Sequence, residues 1–407
     1  MSSRGVRHDS MRARNLAVVL ATIHRSGPHT RAELAERTGL TKTTVSSLVA
    51  DLIEAGVVSE SGAVQKGERG RPGVAVSLSG RRVAALGLEI NIDYLAACVV
   101  DLTRTVRLRR TRPADNRNSD PAAILDGLRV LAKEITAEAE AGGLRVIGAA
   151  LAVPGTVEGE VLRSAPHLGW RDVRVPDLVD LPFEIDNEAN LAALGELWFG
   201  SRESDFLYVS GEIGIGAGLV VDGAVFRGTY GLAGELGHVV VVPDGPACRC
   251  GGRGCLEVYA GQDTLLGALG SAGSAGSGGS ADAADPAGAA GLVGSTGSVG
   301  ELVARLEAGD PEAVRTCERA GHALGVALTS AVHLLDPGLI VLGGIYAPLY
   351  RWLEGPVSEG LGARLAQMRG TPPALVVSGT GPDAAVLGAA GSVIQRIIAD
   401  PAQLLGL

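Results

Sequence analysis

The chain has 407 residues, 46% of them hydrophobic and only 3% aromatic, which predicts two or three domains with aliphatic α/β cores. Residues 1–82 carry 13 Lys and Arg against 7 Asp and Glu, and the remainder carries 23 against 38, so we expect a basic head that alone meets a polyanion. Because no apolar run is long enough to span a bilayer and the Arg-rich N-terminus lacks a signal-peptide core, we expect a cytoplasmic protein without a membrane partner.

The first 55 residues have the pattern of a helix-turn-helix. Residues 1–10 are polar and expected to fray, and apolar residues then recur at helical spacing over 16–23. Thr30 and Glu33 predict a capping box for a second short helix, and Thr41 caps a third. The free side of the third helix carries short polar groups and one cation that suit a major groove: Lys42, Thr43, Thr44, Ser46 and Ser47.

Two short apolar runs, at 57–58 and 74–78, predict strands on either side of a Gly/Pro-rich loop. The loop carries Lys66, Arg69 and Arg71, and a basic hairpin tip can enter a narrow minor groove, whose potential attracts Arg. For the helices alone, an ordinary three-helix bundle with a solvated polar face is the alternative. With the loop included, the sequence predicts a winged helix-turn-helix over residues 1–80 that binds operator DNA.

Beyond a linker at residues 79–82, aliphatic runs alternate with helical patterns, which predicts an α/β body. Strands are expected at 83–102 (two strands and a tight turn), 145–153, 183–185, 205–209, 339–344 and 374–378, and helices at 123–141, 311–335 and 384–398. Residues 267–300 are almost wholly Gly, Ala and Ser, a composition that buries too little apolar surface to order itself. We expect a disordered surface loop there.

The most specific motif lies within residues 234–257. Cys248, Cys250 and Cys255 follow the spacing C-x-C-x4-C, His238 lies upstream, and thiolate and imidazole are the ligands that tetrahedral zinc prefers. Glycines between the cysteines let the backbone turn tightly enough for the sulfurs to converge. Buried reduced cysteines are the alternative, and disulfides are disfavoured because nothing predicts secretion. The sequence therefore predicts a zinc site.

The two halves of this motif, G-E-L-G-H at 234–238 and C-R-C-G-G-R-G-C-L-E at 248–257, resemble the signature of the ROK family of sugar kinases and sugar-responsive repressors. The resemblance extends over nearly the whole chain and implies a two-lobed, actin-like (ribonuclease H-like) body behind the winged head. Lobe 1 is expected over 84–190, with the C-terminal helix at 384–407 returning to it. Lobe 2, with the zinc loop, is expected over 191–383.

The resemblance also implies where a sugar would bind. The family's sugar contacts fall on residues whose side chains or backbone can meet ring hydroxyls: Gly155, His167, Asn187, Glu188, Glu235, His238 and Glu257. His167 stands where relatives commonly have asparagine, and a purely structural role in its loop is equally compatible with the sequence. His238 would bind zinc through one ring nitrogen and face the ligand with the other. The zinc would be structural, with no open coordination position.

Three motifs depart from the pattern of the family's kinases. Where kinases have D-x-G-G-T, residues 89–93 read E-I-N-I-D, and side chains on Ile90 and Asn91 are expected to obstruct the backbone approach to phosphate. Glu188 replaces the base aspartate and is longer by one methylene; misplacing a base by about 1 Å costs roughly a hundredfold in rate. Glu212 replaces a threonine of the second phosphate loop, and a carboxylate there repels phosphate. We expect no nucleotide cofactor.

The sequence therefore favours a sugar-responsive repressor of carbohydrate-metabolism genes without kinase activity. Paired heads on a two-fold operator imply a homodimer or homotetramer. An ATP-dependent sugar kinase carrying a DNA-binding head is the second hypothesis, because an acid remains at the base position. A zinc-stabilised DNA-binding protein with a degenerate body and no ligand is the third.

Overall fold

The computed structural model describes residues 3–64, 73–176, 178–200, 203–212, 214–267, 298–366, 368 and 370–405. The predicted wing contacts Lys66, Arg69 and Arg71 lie outside the described residues, as does most of the predicted loop at 267–300. At the ends of that loop, residue 267 closes one helix and residues 299–300 begin another, so the predicted loop is too long at both ends. In the described ranges, no helix is long and apolar enough to cross a bilayer.

The head is a three-helix unit with a three-stranded sheet, which confirms the predicted winged helix-turn-helix. Its elements are α1 Ser3–Ser26, β1 His29–Thr30, α2 Arg31–Thr38, α3 Lys42–Glu54, β2 Val58–Val64 and β3 Gly73–Leu78, with strand order β1-β3-β2. The predicted capping box is confirmed, because the backbone N–H of Glu33 donates to Thr30 Oγ1 at 3.2 Å and that of Thr30 donates to Glu33 Oε2 at 2.8 Å. The predicted fraying of residues 1–10 is wrong from Ser3 onward, because α1 already begins there and continues into the apolar stretch that packs in the head.

The body has two lobes, each built on a five-stranded sheet, which confirms the predicted α/β class. The first sheet has the order β11-β7-β4-β5-β6 and comprises β4 Val83–Ile90, β5 Tyr94–Asp101, β6 Val106–Pro113, β7 Arg145–Val153 and β11 Phe183–Asn187. Helix α4 Pro121–Ala141 packs on it. A small antiparallel sheet belongs to the same lobe and contains β8 Thr156–Glu158, β9 Val161–Ala165 and β10 Trp170–Arg174.

The second sheet has the order β14-β13-β12-β15-β16. Its strands are β12 Phe206–Gly211, β13 Gly216–Val221, β14 Ala224–Phe226, β15 Leu339–Gly344 and β16 Ala374–Val377. The helices of this lobe are α6 Glu257–Ala260, α7 Gln262–Gly267, α8 Val299–Glu307, α9 Pro311–Leu335 and α10 Tyr346–Leu365. Parallel pairing of β12 with β15 and of β15 with β16 places the carboxyl ends of these strands at one edge, where loops from both lobes meet.

Two further helices, α5 Glu188–Phe199 and α11 Ala384–Ala399, lie between the sheets. Helix α11 packs on the first sheet, α5 packs on the second, and the two helices pack on each other. Glycines lie where the two helices cross, and this lets the backbones come close. A Cβ at Gly195 would overlap the carbonyl of Ala384, and one at Gly388 would overlap that of Leu191. This helix pair is therefore the joint between the two lobes.

The head also packs on this joint. One apolar cluster runs from Leu16 and Leu20 in α1 to Ile394 in α11, so head and body share a core. At the other end of α1, His24 stacks on Trp198 at the end of α5, with ring centroids 5.2 Å apart. The Arg104 guanidinium lies 4.8 Å from the centroid of the same indole. The orientation of the head is thus coupled by direct contact to α5 and α11.

Candidate functional site

Four side chains of the zinc motif meet at one point. The candidate ligand atoms of His238, Cys248, Cys250 and Cys255 all lie within 4.8 Å of one another. His238 Nδ1 is 3.8 Å from Cys248 Sγ, and Cys250 Sγ is 3.7 Å from Cys255 Sγ. Ligands about 2.3 Å from a tetrahedral zinc are about 3.8 Å apart, whereas bonded disulfide sulfurs are about 2.05 Å apart. The cluster therefore fits zinc and does not fit a disulfide.

The backbone of this loop folds back tightly on itself. Gly251 and Gly254 have φ of 90° and 69°, and a Cβ at Gly254 would overlap the carbonyl of Val242. The backbone N–H of Gly252 donates to Cys250 Sγ at 3.4 Å, a contact that also favours the thiolate. Larger residues at these turns would separate the sulfurs, which explains why glycines lie between the cysteines.

Two carboxylates flank the cluster. His238 presents its second nitrogen, Nε2, to Glu235 at 3.7 Å. Glu257, two residues after the last cysteine, lies with Oε1 3.8 Å from His167 Nε2, and its Oε2 accepts the backbone N–H of Ile215 at 3.2 Å. A metal that fixes the loop would consequently fix both carboxylates.

His167 has a defined hydrogen-bonding role. Arg249, between two of the cysteines, contacts His167 Nδ1 through Nη1 at 3.1 Å. Because a guanidinium only donates, Nδ1 accepts, and Nε2 carries the hydrogen that faces Glu257. Burial lowers the pKa of His167, so the ring is neutral near pH 7. Sequence reasoning missed Arg249, whose only signal was its place inside the cysteine motif.

Asn187 connects the loop at Gly155 to the start of α5. Its Nδ2 donates to the carbonyl of Gly155 at 2.9 Å, and its Oδ1 caps α5 by accepting the backbone N–H groups of Ala189 at 2.8 Å and Asn190 at 3.2 Å. Gly155 has φ of 114°, and a Cβ there would overlap the carbonyl of Ser164. Asn187 thus positions the start of α5, and one amide hydrogen is left for a ligand.

Glu188 lies with two other acids in a cavity of about 10 Å³ between the lobes. Glu89, Glu212, Tyr208 and Ser210 share its lining. Within the described residues, Oε2 of Glu89 and Oε2 of Glu188 are buried without a hydrogen-bond partner. Burial, reinforced by the charge of Glu212, raises the pKa of Glu89 to about 8 and raises that of Glu188 well above its ordinary value. The Glu89 carboxyl therefore retains its proton near neutral pH, and burial disfavours the charged form of Glu188 as well.

A hydrogen bond crosses the cleft at this place. Asn91, in the turn between β4 and β5, donates from Nδ2 to Glu212 Oε2 at 3.2 Å. The predicted obstruction by Ile90 is wrong, because strand alternation turns that side chain into the core of lobe 1, where it is fully buried. The two loops that the resemblance matches to the phosphate loops of kinases are thus joined to each other here.

The predicted DNA-contacting residues of α3 fall into two groups. Lys42, Thr43 and Ser47 are exposed, whereas Thr44 and Ser46 are half-buried. The Thr44 hydroxyl lies 2.9 Å from the Oγ1 of the capping Thr41, so this side chain is engaged in the cap. Arg31, at the start of α2, forms a 3.4 Å hydrogen bond with the carbonyl of Ser46. Arg31 also forms a 3.0 Å ion pair with Glu60, so its side chain links α2 to α3 and β2.

Comparison with known proteins agrees with this architecture. The ROK family model matches residues 85–396 and the MarR family model matches residues 17–69. The chain is 26% identical over 391 residues to the xylose repressor of Bacillus subtilis (strain 168), covering 94% of this chain and 96% of that protein. It is 35% identical over 268 residues to a putative xylose repressor of Caldicellulosiruptor sp. (strain Rt8B.4), covering 64% and 66%.

Two solved structures extend the comparison. A ROK family transcriptional regulator, a homologue of the E. coli MLC protein, has a TM-score of 0.74 and 25% identity, covering 97% of this chain and 98% of that one. A ROK family glucokinase from Streptomyces griseus, solved with glucose and AMPPNP, has a TM-score of 0.61 and 26% identity, covering 77% and 99%. Of these two structures, the regulator matches nearly the whole chain and the glucokinase matches about three quarters of it. Because the ROK family model covers the body and a MarR-type head precedes it, this chain belongs to the ROK family.

Proposed function

We propose that the chain is a sugar-responsive transcriptional repressor, in which a sugar bound between the lobes changes operator binding by the head. Relatives that align over nearly the whole chain are named xylose repressors, which makes xylose the first sugar to test. The main support is the arrangement of the cleft between the lobes. Glu257 and His167 lie on one side of it, and the Asn91–Glu212 hydrogen bond closes the other side. A sugar finds partners for its hydroxyls there, whereas a nucleotide phosphate meets carboxylates.

The sugar contacts follow from the chemistry of these groups. Glu257 and Glu235 accept hydrogen bonds from hydroxyls, and the remaining amide hydrogen of Asn187 donates to one. Zinc would be held by His238 and the three cysteines, with no ligand position left for a substrate. Its contribution is to fix the loop so that both carboxylates face the cleft before the sugar arrives.

We expect Glu257→Gln to weaken sugar binding at least tenfold. A hydrogen bond from a hydroxyl to a carboxylate is stronger than one to an amide by about 1–2 kcal/mol, and glutamine keeps an oxygen for the backbone N–H of Ile215. Isothermal titration calorimetry with xylose, glucose and N-acetylglucosamine measures the loss. Glu307→Gln, at an exposed glutamate in α8, is the matched control and should bind as the wild type does.

Either of two results would reject this assignment. No heat with any of these sugars would leave a DNA-binding protein without a sugar ligand, and equal affinity in Glu257→Gln would place the sugar elsewhere. The same titrations with ATP and Mg²⁺ separate repressor from kinase. Formation of a sugar phosphate that Glu188→Gln abolishes would establish the kinase in its place.

Helix α5 offers a route from sugar to head. It begins at the sugar side, where Asn187 caps it, and its last turn carries Trp198, on which His24 of the head stacks. Arg104 also donates from Nη1 to the carbonyl of Trp198 at 3.1 Å. A lobe movement that shifts α5 would therefore shift the contact with α1. Such coupling requires that the sugar prefer one lobe arrangement over the other.

We expect Trp198→Leu to retain sugar affinity within about twofold while the sugar-induced change in operator affinity falls at least threefold. Leucine keeps apolar volume but removes the ring on which His24 and Arg104 lie. The measurement is fluorescence anisotropy with a DNA duplex selected by the wild type from a random pool. Trp352→Leu removes another tryptophan, one that Arg351 covers at 5.5 Å in α10, and should respond fully. A full response in Trp198→Leu would contradict the proposed route.

A further inference from the structure

A cavity of about 620 Å³ lies at the junction of head and body, away from the sugar cleft. Its walls come from three parts of the chain. The head contributes Arg12 and the end of α3, the body contributes residues at the starts of β4 and β7, and the C-terminal turn closes one side. The lining residues are Arg12, Asp51, Glu54, Ala55, Arg82, Gly143, Arg145, Leu404 and Leu405. A volume of this size suits a small metabolite.

The charges on the two sides of the cavity differ. On the head side Arg12 forms an ion pair with Asp51 and is neutralised. On the body side, Arg82 and Arg145 are exposed, and neither guanidinium has a hydrogen-bond or ion-pair partner among the residues described. The backbone N–H of Arg145 donates to the carbonyl of Arg82 at 2.6 Å, which places the two arginines side by side.

The stem of Arg82 is fixed by the head. Gly56 follows α3 with φ of 76°, and a Cβ there would lie only 2.7 Å from Cβ and Cδ of Arg82. The side chain therefore runs across the turn of the head on its way to the cavity. A pre-positioned guanidinium loses less conformational entropy when it binds an anion than a mobile one does.

We propose that this cavity is a second ligand site, which takes a small phosphate-bearing metabolite. The phosphate binds Arg82 and Arg145, because paired guanidiniums match phosphate oxygens through several charge-assisted hydrogen bonds. Glu54, which has no ion-pair partner within the described chain, accepts hydroxyls of the ligand, and Leu404 and Leu405 cover its apolar face. The ligand touches head and body at once.

That position gives the site a regulatory consequence, which rests on the proposed function. A ligand that contacts both walls binds best at one orientation of the head, so its binding and DNA binding influence each other by the same factor. Because the α5 contact with the head lies on Trp198 and not on the cavity lining, the two ligands act through different contacts. The repressor would thereby combine a sugar signal with a phosphate signal.

Calorimetry on the full chain tests binding without DNA or sugar. Ribose 5-phosphate should bind, ribose should not bind in this cavity, and Arg82→Gln with Arg145→Gln should weaken the phosphate ester at least tenfold. Arg81→Gln, at an adjacent exposed arginine outside the lining, is the matched control and should change affinity less than twofold. Arg145→Gln alone gives a milder variant, at a side chain without a partner in the described structure.

The titrations of different ligands and variants distinguish the possible results. Inorganic phosphate binding as tightly as the ester, with the same dependence on Arg82 and Arg145, identifies the free ion as the ligand and supports the site. No heat from either compound overturns the proposal, as does heat that the double variant leaves unchanged. Loss of ester binding in Glu257→Gln would place the ester in the sugar cleft and would also overturn it. Failure of the sugar titrations leaves this test intact.

Discussion

Replacing Cys255 by serine should release zinc and lower the melting temperature by about 10 °C. Cys255 is 1% exposed, its sulfur lies 3.7 Å from that of Cys250, and it is one of the four candidate ligands of the cluster, so its loss leaves three. Metal binding contributes directly to stability where the ligands converge only in the folded chain, and a loss of several kcal/mol corresponds to about that change in melting temperature. Metal analysis by mass spectrometry and calorimetric melting measure the two effects.

Sugar affinity should fall together with the metal, because Glu235 contacts the ligand His238 and Glu257 follows Cys255 by two residues. The control is Cys317→Ala, which removes a fully buried cysteine of the second lobe outside the cluster and should leave the zinc content unchanged. Wild-type protein that binds sugar equally well after chelation would show that the loop needs no metal.

Glu89→Gln should stabilise the protein at pH 8 and change its stability little at pH 5. The folded-state pKa of Glu89 is raised to about 8, chiefly by burial and then by the charge of Glu212, from an ordinary value of 4.5. The folded state therefore holds a proton that the unfolded state releases above pH 4.5. This contribution to stability is fully present below pH 4.5 and is lost as the pH rises towards 8.

The expected difference at pH 8 is on the order of 3 kcal/mol, since each tenfold change in proton affinity is about 1.4 kcal/mol. Glutamine retains an oxygen for the Tyr94 hydroxyl, which donates to Glu89 Oε1 at 2.9 Å. Urea unfolding of both proteins at pH 5 and pH 8 gives the comparison, with Glu307→Gln as the exposed control. Equal destabilisation of Glu89→Gln at both pH values would show that Glu89 is ionised in the folded protein.

Local pattern was sufficient for the elements with strong periodicity. Helix α9 and strand β15 begin and end where the apolar spacing predicts, at Pro311–Leu335 and Leu339–Gly344. Helix α10 was missed because Gly355 and Pro356 interrupt its pattern. In the fold, Gly321 of α9 leaves room for Pro356, and Gly325 faces Gly360. That accommodation depends on a neighbouring helix, which a local pattern does not contain.

Edge strand β6 was missed for a related reason. Four of its eight residues are arginines and none is buried, so it lacks an alternating apolar face. Ion pairs join it to α4, from Arg110 to Glu138 and from Arg112 to Glu134. These ion pairs with a separate helix stabilise the strand, and the strand's own composition does not indicate them.

The candidate site also has one part that the sequence predicts and another that only the fold brings together. The four zinc-motif residues are close in sequence, so their spacing alone predicted a common centre. The Asn91–Glu212 hydrogen bond joins residues 121 positions apart, and only the fold brings them together. The sequence indicated that a carboxylate enters the phosphate loop, but its hydrogen-bond partner and the buried, protonated state of Glu89 depend on packing between the lobes.

The most direct test of the sugar-responsive repressor is the affinity of the wild-type chain for its selected operator duplex, titrated with xylose and then with ATP and Mg²⁺. The account predicts that a saturating sugar changes the dissociation constant at least fivefold. It also predicts that ATP adds no further change and that no ADP forms. An operator affinity that no sugar alters, or ATP turnover that depends on sugar, would contradict it.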